Sequence, residues 1–306
     1  MNIKRSPIGG RNFEFLSEDP YVTAQMATDY IKGVQSKNVG TSLKHFLANN
    51  QEHRRMSSSS NIDERTLREI YLAPFEGAVV NAKPWTVMCS YNKVNGVYSS
   101  QNPLYLTDIL RGEWGFDDYV VSDWGAVTDR VAGLKAGLEL EMPSSRGTND
   151  KRIIEAVKNG SLDEKVLDRA VERILTVHNR YLQNREPNAQ YSKEEHHKLA
   201  GKIISESMVL LKNEGILPLT KGDNIAFIGK FADKPRIQGG GSSHINSFKT
   251  TSALESMKGA ANITYAKGYD VEADIIDQAL IDEAVKVAKA AYIFRSMPTQ
   301  FRAIFN

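Results

Sequence analysis

Apolar positions along the chain change period. From Gly40 to about Gly160, short β-type runs alternate with stretches whose apolar residues recur at helical spacing. This alternation predicts parallel strands joined by crossover helices, an α/β fold. The predicted strands are Gly40 to Phe46, Thr86 to Tyr91, Tyr119 to Asp123 and Gly137 to Met142. Asp63 is placed to cap a helix that carries Leu67, Ile70 and Tyr71 on one side, and Pro74 should break or restart it. Asn95-Gly96 is a turn signal. Ser161-Leu162-Asp163-Glu164 reads as a capping box, with Val166, Ala170, Ile174 and Val177 repeating along a helix that closes near Leu182.

A polar stretch containing Pro187 then breaks the pattern and predicts a linker over 184–192, between a domain at 1–183 and another at 193–306. The second domain should open with a helix from Glu194 to Glu214, stopped at Gly215, followed by a strand at Ile225 to Ile228. A glycine-rich loop (Gln238 to Ser243), a helix from about Ile275 to Ala290 and a strand at Ala291 to Phe294 complete it. About eight strands are needed to close a (β/α)8 barrel. The first domain therefore reads as an incomplete barrel, with a doubly wound open sheet as the alternative that periodicity alone does not separate.

The 306 residues are 41% hydrophobic and 25% charged, which is ordinary globular composition. Lys plus Arg at 39 against Asp plus Glu at 37 leaves a weak net field and no nucleic-acid footprint. No apolar run reaches the roughly 18 residues of a membrane span, and MNIKRSPIGG lacks a signal-peptide core. The single cysteine, Cys89, sits in an apolar run and reads as a buried, inert thiol. His196-His197 are adjacent on a predicted helix and point apart, so no metal is expected. Gly239-Gly240-Gly241-Ser242-Ser243 lacks both the Walker lysine and the dinucleotide spacing, and no cofactor is expected.

The candidate chemistry lies at strand ends. In DYVVSDWG, Asp123 stands where an apolar strand gives way to a loop, at the functional end of an α/β strand. It could attack an anomeric carbon, with Trp124 offering a flat face to a sugar, or simply cap the next helix through Ala126 or Val127. Lys44 and His45 end another strand and could hold hydroxyls or only solvate the strand end. Met88 and Tyr91 close a third, where Tyr91 could reach a carboxylate or be a core tyrosine. Arg11 lies near a turn among several carboxylates and could bind ligand.

Taken together, GRNFEFLSEDP, KHFLANNQE, MCSYNKVNG, VVSDWGA, ELEMP and RIQGGGSSHI resemble glycoside hydrolase family 3 of the β-glucosidase B type. The resemblance implies a (β/α)8 barrel joined to an α/β sandwich, with a sugar bound between them. It implies a retaining mechanism with Asp123 as nucleophile. Arg11, Lys44, His45, Met88 and Tyr91 would surround the sugar, Trp124 would wall it, and Ser242 or Ser243 would come from the second domain. The implied substrate is a small β-glucoside or oligosaccharide, in the cytoplasm. A β-xylosidase or exo-glucanase shares the framework, and a non-catalytic sugar-binding remnant is the reading from another class. An N-acetylglucosaminidase would carry KHFPG where Lys44-His45-Phe46 here runs into Leu47-Ala48. In the family the acid is a glutamate beyond the last strand of this chain, the first barrel strands precede Met1, and SMPTQFRAIFN does not match the family's continuation. The resemblance therefore leads us to expect a chain inactive or insoluble by itself.

Overall fold

The structure, a computed structural model, describes residues 1–238, 243–273 and 275–288, with the backbone of 292–295. Contacts divide the chain into two units that meet at Asn188 and Ala189. In chain order the first unit contains α1 (Pro20–Gln35), β1 (Ser42–Phe46), β2 (Ser59–Ser60), α2 (Glu64–Thr66), α3 (Ala73–Ala82), β3 (Thr86–Cys89), β4 (Lys93–Val94), β5 (Val97–Tyr98), β6 (Tyr119–Val121), α4 (Arg130–Ala136), α5 (Thr148–Lys158) and α6 (Glu164–Asn184).

The strands β1, β3 and β6 pair in parallel in that order, with Leu43 opposite Val87 and Val87 opposite Val120. Val121 then bridges Leu140 in parallel, so the predicted strand Gly137 to Met142 is reduced to a single bridge. Neighbours follow chain order with no reversal. That order fits an arc of a (β/α)8 barrel, and three strands in sequence equally fit one half of a doubly wound sheet.

The helices form where their caps and faces allow. Asp63 accepts from the Thr66 amide at 3.0 Å, as its position predicts. Wide π-type turns then run from Leu67 to Leu72, and α3 restarts with Pro74 in its first turn, where a missing N–H costs nothing. Helix α1 packs against α3 so closely that a Cβ on Gly77 would sit 2.7 Å from that of Ala24. Only glycine fits there. Asn95 and Gly96, both at positive φ, turn β4 into β5. The cap of α6 is Asp163, not Ser161: the Asp163 carboxylate reaches the Lys165 amide at 3.0 Å, so the helix begins two residues later than a Ser161 cap would place it.

The core lies between the sheet and its helices. Leu43, Val87 and Val120 line it beside Leu106 and Leu110, and the Phe46 ring meets Phe75 edge-on at 5.2 Å. Each such fully buried side chain contributes about 1.5–3 kcal/mol. Cys89 is fully buried, and desolvation pushes its thiol up to about 12, which leaves it inert.

The second unit contains α7 (Lys193–Ser207), β7 (Asn224–Ile228), α8 (Ala253–Ser256), β8 (Asn262–Ala266), α9 (Gln278–Ala288) and β9 (Tyr292–Arg295). Its parallel sheet has the order β8-β7-β9, with β7 in the middle. The helix predicted to reach Glu214 stops at Ser207, because none of α7 is buried and the Ser205 and Ser207 hydroxyls bond back to carbonyls four residues earlier. Among the described residues, no helix is long and apolar enough to cross a membrane.

Candidate active site

The C-terminal ends of β1, β3 and β6 bring His45, Tyr91 and Asp123 together. Asp123 follows β6 by two residues, and its loop is tied down from outside. Ser122 exchanges hydrogen bonds with Met142, its Oγ donating to the Met142 carbonyl at 3.1 Å and accepting from the Met142 amide at 2.8 Å. Gly125, at φ +77°, donates to the same carbonyl at 2.9 Å. ELEMP thus holds the Asp123 loop. No helix begins beside Asp123, since α4 starts at Arg130 on its own cap, Asp129. The capping reading of Asp123 therefore falls away.

The Asp123 side chain is 11% exposed. Its Oδ1 accepts from the Trp124 amide at 2.8 Å, whereas Oδ2 is buried with no hydrogen-bond partner. His45 Nε2 lies 3.5 Å from Oδ2 and 2.9 Å from Nη2 of Arg11, and Arg11 is also paired with Glu14. Burial, followed by the charges of Arg11 and Lys44, holds the His45 imidazole well below its ordinary range, so it is neutral. Burial, then the neighbouring Asp123 carboxylate, pushes the Tyr91 phenol up to about 12 and keeps its proton in place.

The supporting loops explain why these groups stay put. Ser90 donates to the Leu47 carbonyl at 2.9 Å, and Asn92 reaches the carbonyls of Leu47 and Ala48 at 3.3 Å. The loop after β1 is thereby fixed to the loop after β3. Asn2 holds the His45 backbone from the other side, its Nδ2 donating to the carbonyl at 3.1 Å and its Oδ1 accepting from the amide at 3.4 Å.

The other expected residues are placed less tightly. Lys44 is exposed and acts on His45 through its charge alone, without a hydrogen bond to Asp123. Met88, half-buried, pairs with Val121 across the sheet. Trp124 turns outward with 55% of its surface exposed, as a wall free to take a ligand would. Ser242 lies outside the described residues, and Ser243 belongs to the second unit.

The structure adds groups that sequence reasoning misses. Arg55, paired with Glu52, lies over the Tyr91 ring at 4.6 Å from its centroid. The opposite charges of Glu52 and Arg55 three residues apart, just beyond a strand end, are the signal that could have found it. Asn49, in the polar string that follows the Lys44-His45 strand end within KHFLANNQE, is buried with neither amide atom satisfied, whereas nothing in the sequence marks the Asn2 clamp. Among the described residues no cluster of His, Cys, Asp or Glu could hold a metal.

A buried carboxylate with one oxygen anchored and the other without a hydrogen-bond partner, beside a neutral imidazole, can attack an electrophilic carbon. Relatives with known structures and names fit that chemistry. Residues 1–177 match the glycosyl hydrolase family 3 N terminal domain, and residues 208–294 match its C-terminal domain. The chain is 56% identical to thermostable beta-glucosidase B of Acetivibrio thermocellus over 99% of its own length and 41% of that protein's. It is 47% identical to an exo-alpha-(1->6)-L-arabinopyranosidase of Bifidobacterium longum, over 95% of this chain and 40% of the relative. The GH3 beta-glucosidase of Bifidobacterium adolescentis superposes with a TM-score of 0.91 at 46% identity, covering 96% of this chain and 44% of that one. Beta-glucosidase 3B of Thermotoga neapolitana, solved with α-D-glucose, gives 0.81 at 40% identity, covering 94% and 40%. The chain thus spans about two-fifths of the length of these relatives. With both domain descriptions matched in order and the parallel sheet and strand-end carboxylate in place, this chain belongs to glycosyl hydrolase family 3.

Proposed function

We propose that this chain carries the nucleophile side of a retaining β-glucosidase, which releases terminal non-reducing β-D-glucosyl residues by double displacement. The observation that carries the reading is the Asp123 carboxylate, fixed through Oδ1 at a strand's C-terminal end with Oδ2 buried and unpartnered. Asp123 attacks the anomeric carbon, the bond to the leaving oxygen breaks, and water later opens the glycosyl ester. Arg11, Lys44, His45, Met88 and Tyr91 surround the sugar and Trp124 walls it. The domain borders that accompany this reading are 1–183 for the barrel part, 184–192 for the linker and 193–306 for the sandwich part. Limited proteolysis should cut first within 184–192.

Among the described carboxylates near Asp123, Glu14 is paired with Arg11 and Glu52 with Arg55. A general acid contributes about 10²–10⁴-fold, so the test uses a leaving group that needs none. The 2,4-dinitrophenyl 2-deoxy-2-fluoro-β-glucoside should add one fluoroglucosyl group to the chain, mapped by peptide mass to Asp123. Asp123→Ala should abolish it. Labelling elsewhere, or none, sinks the reading. The arabinopyranosidase relative supplies a second reading, an α-L-arabinopyranoside substrate. Comparing labelling by the corresponding fluoroarabinoside separates the two.

A further inference from the structure

We propose that Arg11 is a positioning residue that fixes His45 in the tautomer protonated at Nδ1, so that Asp123 Oδ2 is left bare as the attacking oxygen. The inference rests on the reading of Asp123 as the nucleophile. A guanidinium carries only donors. The 2.9 Å contact from Arg11 Nη2 to His45 Nε2 therefore ends on the lone pair of Nε2. In a neutral imidazole the single proton must then sit on Nδ1.

The consequence falls on Asp123. Nε2 also lies 3.5 Å from Oδ2, but with a lone pair rather than a proton between them no hydrogen bond forms. This accounts for a buried carboxylate oxygen without a partner beside an imidazole. The two oxygens are made unequal: Oδ1 is committed to the Trp124 amide, and Oδ2 is presented to the ligand. Asn2 grips the His45 backbone at both its amide and its carbonyl, so the ring's proton can change without the strand end moving. The charges facing the ring are Arg11, Lys44 and Arg55 as cations and Asp123 as the anion, with the nearby Met1 amine lowered by burial to about 5 and so uncharged at neutral pH, and burial together with the cations opposes an imidazolium. Replacing Arg11 with an apolar side chain removes both the donor and one of those cations. The proton then favours Nε2, where it caps Oδ2.

The test is nitrogen NMR of the whole chain labelled with ¹⁵N-histidine, whose long-range couplings within the ring distinguish the tautomers. The His45 signal among the six histidines is the one lost in His45→Gln. The wild-type chain at neutral pH should show His45 protonated at Nδ1, Arg11→Met should move it to Nε2 or to the charged form, and Arg11→Lys, which also offers only donors, should restore it. Labelling by the fluoroglucoside should fall about ten- to a hundredfold in Arg11→Met and recover in Arg11→Lys, the size expected for losing one charge-assisted hydrogen bond. Unchanged signals from the other histidines report that the variant is folded. A wild-type His45 protonated at Nε2 overturns the proposal without any variant, and so does an Arg11→Met chain that keeps the Nδ1 tautomer. Absence of wild-type labelling with the expected tautomers would instead count against Asp123 as the nucleophile.

Discussion

The two ends of β6 treat carboxylates in opposite ways. At its beginning, Asp118 is held by both terminal nitrogens of Arg180 at 2.6 and 2.9 Å. Glu139, 1% exposed, accepts from Arg111 at 2.8 and 2.9 Å, from Arg173 at 2.7 Å and from the Val120 amide at 2.7 Å. Every oxygen there has a partner. At the other end, four or five residues on, Asp123 Oδ2, His45 Nδ1 and both amide atoms of Asn49 are buried without one. An unsatisfied buried polar group costs about 1–3 kcal/mol; at the first end Arg111 Nε bears that cost while every carboxylate oxygen is paired, and at the second a carboxylate oxygen itself is left unpaired where a ligand can pair it. The barrel's stability face and its reactive face are visible within a single strand of three residues.

If that contrast is right, removing a carboxylate should have opposite effects at the two ends. Asp123→Ala should cost at least about 10⁴-fold in the rate of fluoroglucoside labelling, as loss of a covalent catalyst does, while the denaturant midpoint barely moves. Glu139→Ala should do the reverse. It strands Arg111 and Arg173 without their shared anion, and breaking a buried pair costs about 3–5 kcal/mol, read as a drop in unfolding free energy. Equal stability losses in the two variants would erase the distinction.

How much of this is legible in the sequence follows from distance along the chain. Asp123 at a strand end, the Asp63 cap and the Asn95-Gly96 turn are written in a few adjacent residues, and the structure has each in place. What escapes is set by remote partners or by competition. The small sheet of β2, β4 and β5 has strands of two residues, too short for any period to show. Strand β8 begins Asn262-Ile263 directly after the alanine-rich Gly259 to Ala261, and only pairing with β7 reveals it. The meeting of Arg11 with His45 joins residues 34 apart, and Asn2 reaches His45 across 43. No local pattern encodes either contact. The overextended α7 shows the same limit from the other side: apolar residues continue past Ser207, but no core receives them, and helical spacing without burial does not hold a helix.

Acid should expose the cost carried at the reactive end. His45 is neutral in the fold, below its unfolded value of 6.5, so between these two values the unfolded chain binds a proton that the folded chain does not. Stability therefore rises with pH through that window and is lost as pH falls below about 6.5, at up to about 1.4 kcal/mol per pH unit for one proton. Denaturant midpoints measured across the window should show this slope in the wild-type chain. In His45→Gln the part due to this residue should vanish.

The smallest expected effect tests whether the Asp123 loop is held by its bonds or by its backbone conformation. Gly125 sits at φ +77° with open space where a Cβ would go, so Gly125→Ala introduces left-handed strain and no clash. That strain is worth about 1 kcal/mol. The Gly125 amide would still face the Met142 carbonyl, and Ser122 would still exchange its bonds with Met142. Gly125→Ala should therefore lower the unfolding free energy by about that amount while fluoroglucoside labelling at Asp123 stays within a few-fold of wild type. A large loss of labelling with a small loss of stability would mean that the turn's conformation, rather than its tether to ELEMP, places the carboxylate.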